Sequence, residues 1–120
     1  MKRGGWVRLA LTAAWNTYAR TSDEQFLAKL RDGFAEAMQR SEPQFVFYLS
    51  GADPFVGDKL GRLSLTKDGL RSRDAFVLGE VARLGLPHVT VMGGGYGKDM
   101  NDSVDVYEAT VAVALQSAPR

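Results

Sequence analysis

A continuous apolar run, Phe45-Val46-Phe47-Tyr48-Leu49, lies between Pro43 and Gly51 and decides the fold class. Aromatic and β-branched residues without polar alternation are typical of a strand that is buried on both faces. Such strands usually belong to parallel sheets, because helices cover both faces of those sheets. We therefore predict a buried strand over residues 44–50.

The residues before this run predict a helix over residues 22–40. Thr21 and Glu24 have the spacing of a capping box, in which two side chains satisfy backbone N–H groups at the start of a helix. Apolar residues then recur every three or four positions, which places them on one helix face. They are Phe26, Leu27, Leu30, Phe34, Ala37 and Met38. Pro43 favours an end near residue 40.

Two further helices and a second strand follow along the chain. Thr66 is suited to cap a helix over residues 67–84, and Gly85 to end it in the left-handed conformation. The predicted inward positions of this helix are Leu70, Asp74, Val77, Leu78 and Val81. A second short buried strand is predicted over 88–92 and a last helix over 99–116. The inward positions of that helix are Val104, Tyr107, Val111 and Ala114 or Leu115. This alternation indicates an α/β fold with parallel strands and right-handed crossovers.

Composition and charge restrict the classes of partner. The chain has 120 residues, of which 45% are hydrophobic and 24% charged, as expected for one globular domain. A formal net charge of +1, from basic and acidic residues spread along the sequence, argues against nucleic acid or a membrane as the partner. The absence of cysteine excludes disulfides and thiolate metal ligands in this sequence and fits a reducing cytoplasm, so we expect a cytoplasmic protein.

One candidate site residue follows the first predicted strand. Ligands of parallel α/β sheets bind at the carboxyl ends of the strands, and Asp53 lies there, after Gly51 and Ala52. Its carboxylate can bind a metal, although position alone favours a turn or helix-capping role. Asp58 follows Gly57 in a common turn dipeptide and is expected to bond its own loop.

A second candidate, Tyr96, follows the three glycines at 93–95 after the second predicted strand. A glycine-rich turn can present the phenol to a pocket, where it can donate a hydrogen bond to a developing oxyanion. The tyrosine can instead simply pack, or the turn can bind the phosphate of a nucleotide. The spacing lacks the glycine pattern of nucleotide-binding loops. His88, the one histidine in the sequence, precedes the strand at its opposite end and argues against a serine-histidine-aspartate triad.

Two long motifs together resemble one family. The stretch YLSGADPFVGDKLGRLSLT at residues 48–66, followed by GGGY at 93–96, is similar to the final third of the histone deacetylase and acetoin-utilisation superfamily, closest to its class IV and bacterial members. The resemblance runs from about Thr21 to Ala114. We therefore predict that residues 21–120 are the C-terminal part of a deacetylase-like domain and that residues 1–20 are an unmatched N-terminal segment.

The resemblance implies a three-layer, arginase/deacetylase-like parallel-sheet fold and a zinc-dependent amidohydrolase that acts on acetylated lysine or small acylated amines. It implies that Asp53 is a zinc ligand and Tyr96 the catalytic tyrosine. It also implies that Leu60, Gly94 and Gly95 line the substrate channel.

The family's histidine pair and Asp-x-His zinc ligands precede the region of resemblance, and residues 1–20 contain no histidine. We therefore expect the chain alone to be inactive and not to bind zinc stably, since a catalytic zinc normally has three protein ligands. The alternative is a non-catalytic interaction module that forms a homo-oligomer through an exposed sheet edge.

Overall fold

The computed structural model of the protein describes residues 8–9, as backbone, and residues 22–51, 65–93 and 100–118. The elements are β1 (Arg8–Leu9), α1 (Asp23–Ser41), β2 (Val46–Gly51), α2 (Lys67–Arg83), β3 (His88–Gly93) and α3 (Met100–Ser117). All three predicted helices and both predicted strands are present, with bounds that differ from the prediction by no more than two residues. The prediction of an α/β fold built on parallel strands is confirmed.

The described strands form a parallel sheet in the order β1-β2-β3. In β1, Arg8 pairs with Phe47, so a residue of the segment before residue 21 belongs to the sheet. Strands β2 and β3 pair over their whole lengths, and their last residues, Gly51 and Gly93, are register partners. The carboxyl ends of the two strands therefore lie side by side at one edge of the sheet.

Helix α1 begins with a capping box one residue later than predicted. Ser22, not Thr21, is the N-cap: the Gln25 N–H donates to Ser22 Oγ at 3.3 Å, and the Ser22 N–H donates to Gln25 Oε1 at 3.2 Å. Ser22 and Gln25 have the same spacing and chemistry as Thr21 and Glu24, so the sequence offered two overlapping boxes. The helix ends at Ser41, one residue beyond the prediction.

Both predicted ends of α2 are confirmed. Thr66 Oγ1 accepts the Gly69 N–H at 3.0 Å, and Gly85 has a φ of +67° just after the helix. The Gly85 N–H donates to the Ala82 carbonyl and the Leu86 N–H to the Val81 carbonyl, which together form a Schellman motif. Capping residues of the sequence, Thr66 and Gly85, therefore satisfy backbone groups at both ends of α2.

The predicted inward faces of α1 and α2 are confirmed, and that of α3 is right for Tyr107 and Ala114, which pack against the core, but wrong for Val104 and Val111. The buried residues of α3 are Val106, Thr110 and Val113. Val104 and Val111, which were predicted to face the core, are exposed, and so is Leu115. Apolar residues occupy two faces of α3, and the face that is buried contains a threonine whose hydroxyl is hydrogen-bonded in the core. Periodicity alone therefore placed only part of the buried face correctly.

The prediction that the first strand is buried on both faces and the prediction that the second strand is buried are also wrong for the described part of the chain. In β2, Val46 and Tyr48 are buried, whereas Phe47 and Leu49 are 45% and 41% exposed. The exposed face continues on β3 through Val89 and Val91. The described helices pack against the side of the sheet that carries Val46 and Tyr48, so a single hydrophobic core lies between that side and the helices.

Candidate functional site

The carboxyl ends of β2 and β3 form the candidate site. The segment with Asp53 begins directly after Gly51, and the segment with Tyr96 begins directly after its register partner Gly93. Asp53 follows the end of its strand by two residues and Tyr96 by three. The structure therefore starts both segments from neighbouring points on one sheet edge, as the sequence predicted. The five predicted site residues themselves lie outside the described residues, and so does Asp58. The five are Asp53, Leu60, Gly94, Gly95 and Tyr96.

The two strands approach each other closely where they end. A Cβ atom added at Gly51 would lie 3.2 Å from the carbonyl oxygen of Gly93, which is tighter than most real contacts of this kind. Glycine at position 51 thus permits the backbone spacing at this edge. A side chain at this position would require the Gly93 carbonyl to shift by a few tenths of an ångström.

A buried arginine holds the end of β2. Arg73, on α2, donates from one terminal nitrogen to the Gly51 carbonyl oxygen at 2.6 Å and from the other to Ser50 Oγ at 2.8 Å. These are the last two residues of the strand. The planar guanidinium can satisfy both acceptors at once, which a lysine ammonium cannot do in the same geometry. Arg73 therefore fixes the position of the backbone from which the Asp53 segment leaves.

The charge of Arg73 is balanced by its neighbour in sequence, Asp74. The Arg73 Nε–H donates to Asp74 Oδ1 at 3.0 Å, and both side chains are almost completely buried. The hydroxyl of Tyr48 donates to the same oxygen at 2.5 Å and that of Ser50 at 3.0 Å, while Thr110 donates to Oδ2. Buried charges are tolerated only when they are paired and hydrogen-bonded, and here every carboxylate oxygen has a donor.

Tyr48 acts as a neutral donor in this network. Its burial raises the pKa of the phenol far above the ordinary value of 10.0, and the nearby Asp74 carboxylate raises it further, although Arg73 acts in the opposite direction. The phenol therefore keeps its proton over the whole physiological range. The hydrogen bond from Tyr48 to Asp74 links β2 to α2, as the bond from Thr110 links α3 to the same carboxylate.

The end of β3 is held in a similar way by α3. The Tyr107 hydroxyl donates to the Gly93 carbonyl oxygen at 2.8 Å. Tyr107 was predicted to face the core, and its partly buried ring packs there, but its hydroxyl reaches the sheet edge. The last carbonyls of β2 and β3 thus each accept a hydrogen bond from a helix side chain.

The other end of the 52–64 segment is anchored at the start of α2. The Thr66 N–H donates to Asp23 Oδ1 at 2.8 Å and the Thr66 hydroxyl to Asp23 Oδ2 at 2.5 Å. Asp23 is the first residue of α1, so this contact joins the amino ends of two helices. The described residues on either side of the 52–64 segment, Gly51 and Thr66, are therefore both held by side-chain hydrogen bonds.

The described ranges contain no group of three histidine, aspartate or glutamate side chains that could hold a metal ion. His88 begins β3 and lies at the amino end of the strand, away from Gly93, as predicted. The residues that the structure describes do not make up a zinc site, so a metal would need ligands beyond them. Among the helices described, none is long and apolar enough to cross a bilayer.

Sequence reasoning missed the network that supports the site. Nothing in the sequence indicated that Arg73 is buried, because an arginine within a helix usually points to solvent. Asp74 did give one, since it was placed among the inward positions of α2, where a carboxylate needs buried partners. Ser50 was also detectable as the third inward position of β2, after Val46 and Tyr48.

Comparison with known proteins identifies the family. The sequence matches the histone deacetylase domain family over residues 7–112. An uncharacterized protein of Picosynechococcus sp. is 38% identical over 82 residues, which cover 68% of this chain and 27% of that protein. Histone deacetylase 2 of Arabidopsis thaliana is 35% identical over 78 residues, or 65% of this chain and 20% of that enzyme. The chain therefore belongs to the histone deacetylase domain family, as the resemblance of its two motifs indicated.

A solved structure agrees at the level of the fold. The crystal structure of acetylpolyamine aminohydrolase from Burkholderia pseudomallei superposes with a TM-score of 0.62 at 20% sequence identity, and the match covers 81% of this chain and 26% of that enzyme. The chain thus spans between a fifth and about a quarter of the length of these three proteins. The division of the chain at residue 20 stays a prediction.

Proposed function

We propose that this chain supplies the carboxyl-terminal part of the active site of a zinc-dependent, deacetylase-like amidohydrolase. In this proposal Asp53 is a metal ligand and Tyr96 donates a hydrogen bond to the substrate carbonyl. The observation that carries it is the pairing of Gly51 with Gly93, which starts both segments at the same sheet edge. The family match supports it, since residues 7–112 include both segments.

The chemistry of the two side chains suits amide hydrolysis. When water attacks an amide carbonyl, negative charge develops on the oxygen, and a phenol O–H held close to that oxygen stabilises it. A carboxylate oxygen is an accepted ligand for zinc, which when bound polarises the carbonyl and activates the attacking water. In the proposal Gly94, Gly95 and Leu60 would form the wall of an acyl channel.

The substrate class follows from the family. Two of the matched proteins have names that refer to histone deacetylation and to acetylpolyamine hydrolysis. We infer an acetylated lysine or a small acylated amine as the substrate, and a cytoplasmic location from the absence of cysteine. The remaining zinc ligands and a histidine general base must come from outside these 120 residues, so the chain alone should be inactive.

The experiment uses the completed domain, meaning this chain joined to its upstream reading frame or to the corresponding region of the Picosynechococcus relative. Release of acetate from an acetyl-lysine peptide and from an acetylated polyamine is measured. Because Tyr96→Phe removes an oxyanion donor, it should lower kcat about 10²- to 10³-fold. Asp53→Ala should abolish turnover, whereas the matched variant Asp58→Ala should retain it. Retained turnover in both Asp53→Ala and Tyr96→Phe would contradict the proposal.

A second candidate function is self-association. β3 lies at an edge of the described sheet, and the face that carries Leu49, Val89 and Val91 is apolar and exposed. Exposed apolar faces and sheet edges commonly mark interaction surfaces. If the chain forms a homo-oligomer there, light scattering should show Val91→Lys to be monomeric, while the control Val111→Lys on the exposed side of α3 should still associate. A wild-type chain that is monomeric at high concentration would exclude this function.

A further inference from the structure

We infer that Arg73 and Tyr107 are separate positioning residues for the two halves of the active site, Arg73 for the Asp53 segment and Tyr107 for the Tyr96 segment. This inference rests on the proposed function and deepens it. It starts from the two contacts at the sheet edge: Arg73 to the Gly51 carbonyl at 2.6 Å, and Tyr107 to the Gly93 carbonyl at 2.8 Å.

Each contact lies at the last carbonyl of a strand, where the regular pairing of the sheet ends. Asp53 is two residues beyond the first carbonyl and Tyr96 three beyond the second. A peptide plane that is fixed by a hydrogen bond at this point determines the direction in which the next residues leave the sheet. Groups that orient a ligand or donor in this way commonly change metal affinity or activity about 10- to 100-fold when they are removed.

The cost of burying Arg73 supports a role beyond packing. Its side chain is 2% exposed, and an apolar side chain of similar size would often be as stable at such a site. The arginine uses three nitrogens on three different acceptors, and two of those acceptors belong to the end of β2. Asp74, held by Tyr48, Ser50 and Thr110, keeps the guanidinium in place. The network is therefore built around the strand end.

Tyr107 holds its strand end without using the Asp74 carboxylate. It lies on α3, and its hydroxyl donates to the Gly93 carbonyl, whereas the side chains that donate to Asp74 belong to other residues. Removal of the Tyr107 hydroxyl therefore leaves those donors to Asp74 in place. The two positioning residues predict two different defects. Loss of the Arg73 contact should affect the metal ligand, and loss of the Tyr107 hydroxyl should affect the oxyanion donor.

The test compares Arg73→Lys and Tyr107→Phe with Ser22→Ala in the completed domain. Ser22→Ala is the control, because it removes the N-cap hydrogen bond of α1 but no bond to Asp74 or to a strand end. Arg73→Lys should weaken zinc affinity about 10- to 100-fold. Tyr107→Phe should lower kcat by a similar factor with zinc affinity and KM unchanged, and Ser22→Ala should lower only the melting temperature. If Arg73→Lys and Tyr107→Phe lower the melting temperature but leave zinc affinity and kcat unchanged, as the control should, the inference is wrong.

A second readout uses the 120-residue chain and needs neither zinc nor turnover. Amide hydrogen exchange is measured along the backbone of each variant. Arg73→Lys should speed exchange at residues 52–53 and not at 94–96, and Tyr107→Phe should do the reverse. If wild-type completed domain shows no zinc binding or turnover, the proposed function fails while this pattern still tests the positioning. Equal acceleration in both segments, or none in either, would overturn the inference.

Discussion

Two buried threonine hydroxyls in this core differ in whether they have a hydrogen-bond partner. Thr110 Oγ1 donates to a carboxylate oxygen of Asp74, a charged acceptor with no access to water. The hydroxyl of Thr90, on β3, is equally inaccessible but has no hydrogen-bond partner within the described residues. A hydrogen bond to a charged group contributes about 1.5–3 kcal/mol, whereas an unsatisfied buried hydroxyl is a cost.

We therefore expect opposite results from the same isosteric change at these two positions. Thr110→Val should lower the free energy of unfolding by about 1.5–3 kcal/mol, because it removes one donor from a buried carboxylate. Thr90→Val should leave it unchanged or raise it by about 1 kcal/mol, because a stranded hydroxyl is replaced by a methyl group. Urea unfolding of the two variants measures both. If the two variants lost the same free energy of unfolding, the hydrogen bond from Thr110 to Asp74 would not account for the effect at position 110.

The helices are the elements that position the site, and α2 does most of this. Its first turn is tied to α1 through Asp23 and Thr66, and its middle carries the Arg73–Asp74 pair. The first contact requires glycine at position 69, since an added Cβ would lie 2.0 Å from Asp23 Oδ1. Gly79, further along the same helix, has open space around it.

These two glycines give a matched pair of variants at the level of the element. Gly79→Ala should raise the free energy of unfolding by about 0.5–1 kcal/mol, the usual gain in helix propensity. Gly69→Ala has the same intrinsic gain but should be less stable than the wild type, because the methyl group displaces Asp23 from Thr66. Thermal unfolding of the two variants decides this. A Gly69→Ala protein as stable as Gly79→Ala would mean that the helix-to-helix contact has no energetic weight.

The types and bounds of the elements could be predicted from the sequence because local signals determine them. Thr66, Gly85 and Pro43 act on the backbone within one turn, so their effect does not depend on the rest of the molecule. The buried face of α3 could be predicted only in part, since apolar residues lie on two sides of that helix and the inward Thr110 donates to a carboxylate that belongs to another helix. The one-sided burial of β2 likewise depends on which helices cover the sheet.

At the scale of the whole molecule, the two motifs that indicated the family both follow strands that end at the same edge of the sheet. The two motifs were weak indicators separately, and they gained meaning because β2 and β3 end in register. The neighbouring starting points of the two segments could be predicted, since the α/β pattern places the carboxyl ends of parallel strands side by side. The side chains that support the site could not, because Arg73 becomes informative only when the partners that surround it are known.

The most direct measurement of the central claim is the zinc content of the completed domain. Zinc per polypeptide is determined by elemental analysis after dialysis, for the wild type, Asp53→Ala and the control Asp58→Ala. Because Asp53 is proposed to be one of three protein ligands, we expect about one zinc per chain in the wild type and in Asp58→Ala, and much less than one in Asp53→Ala. Full zinc occupancy in a folded Asp53→Ala protein would contradict the account.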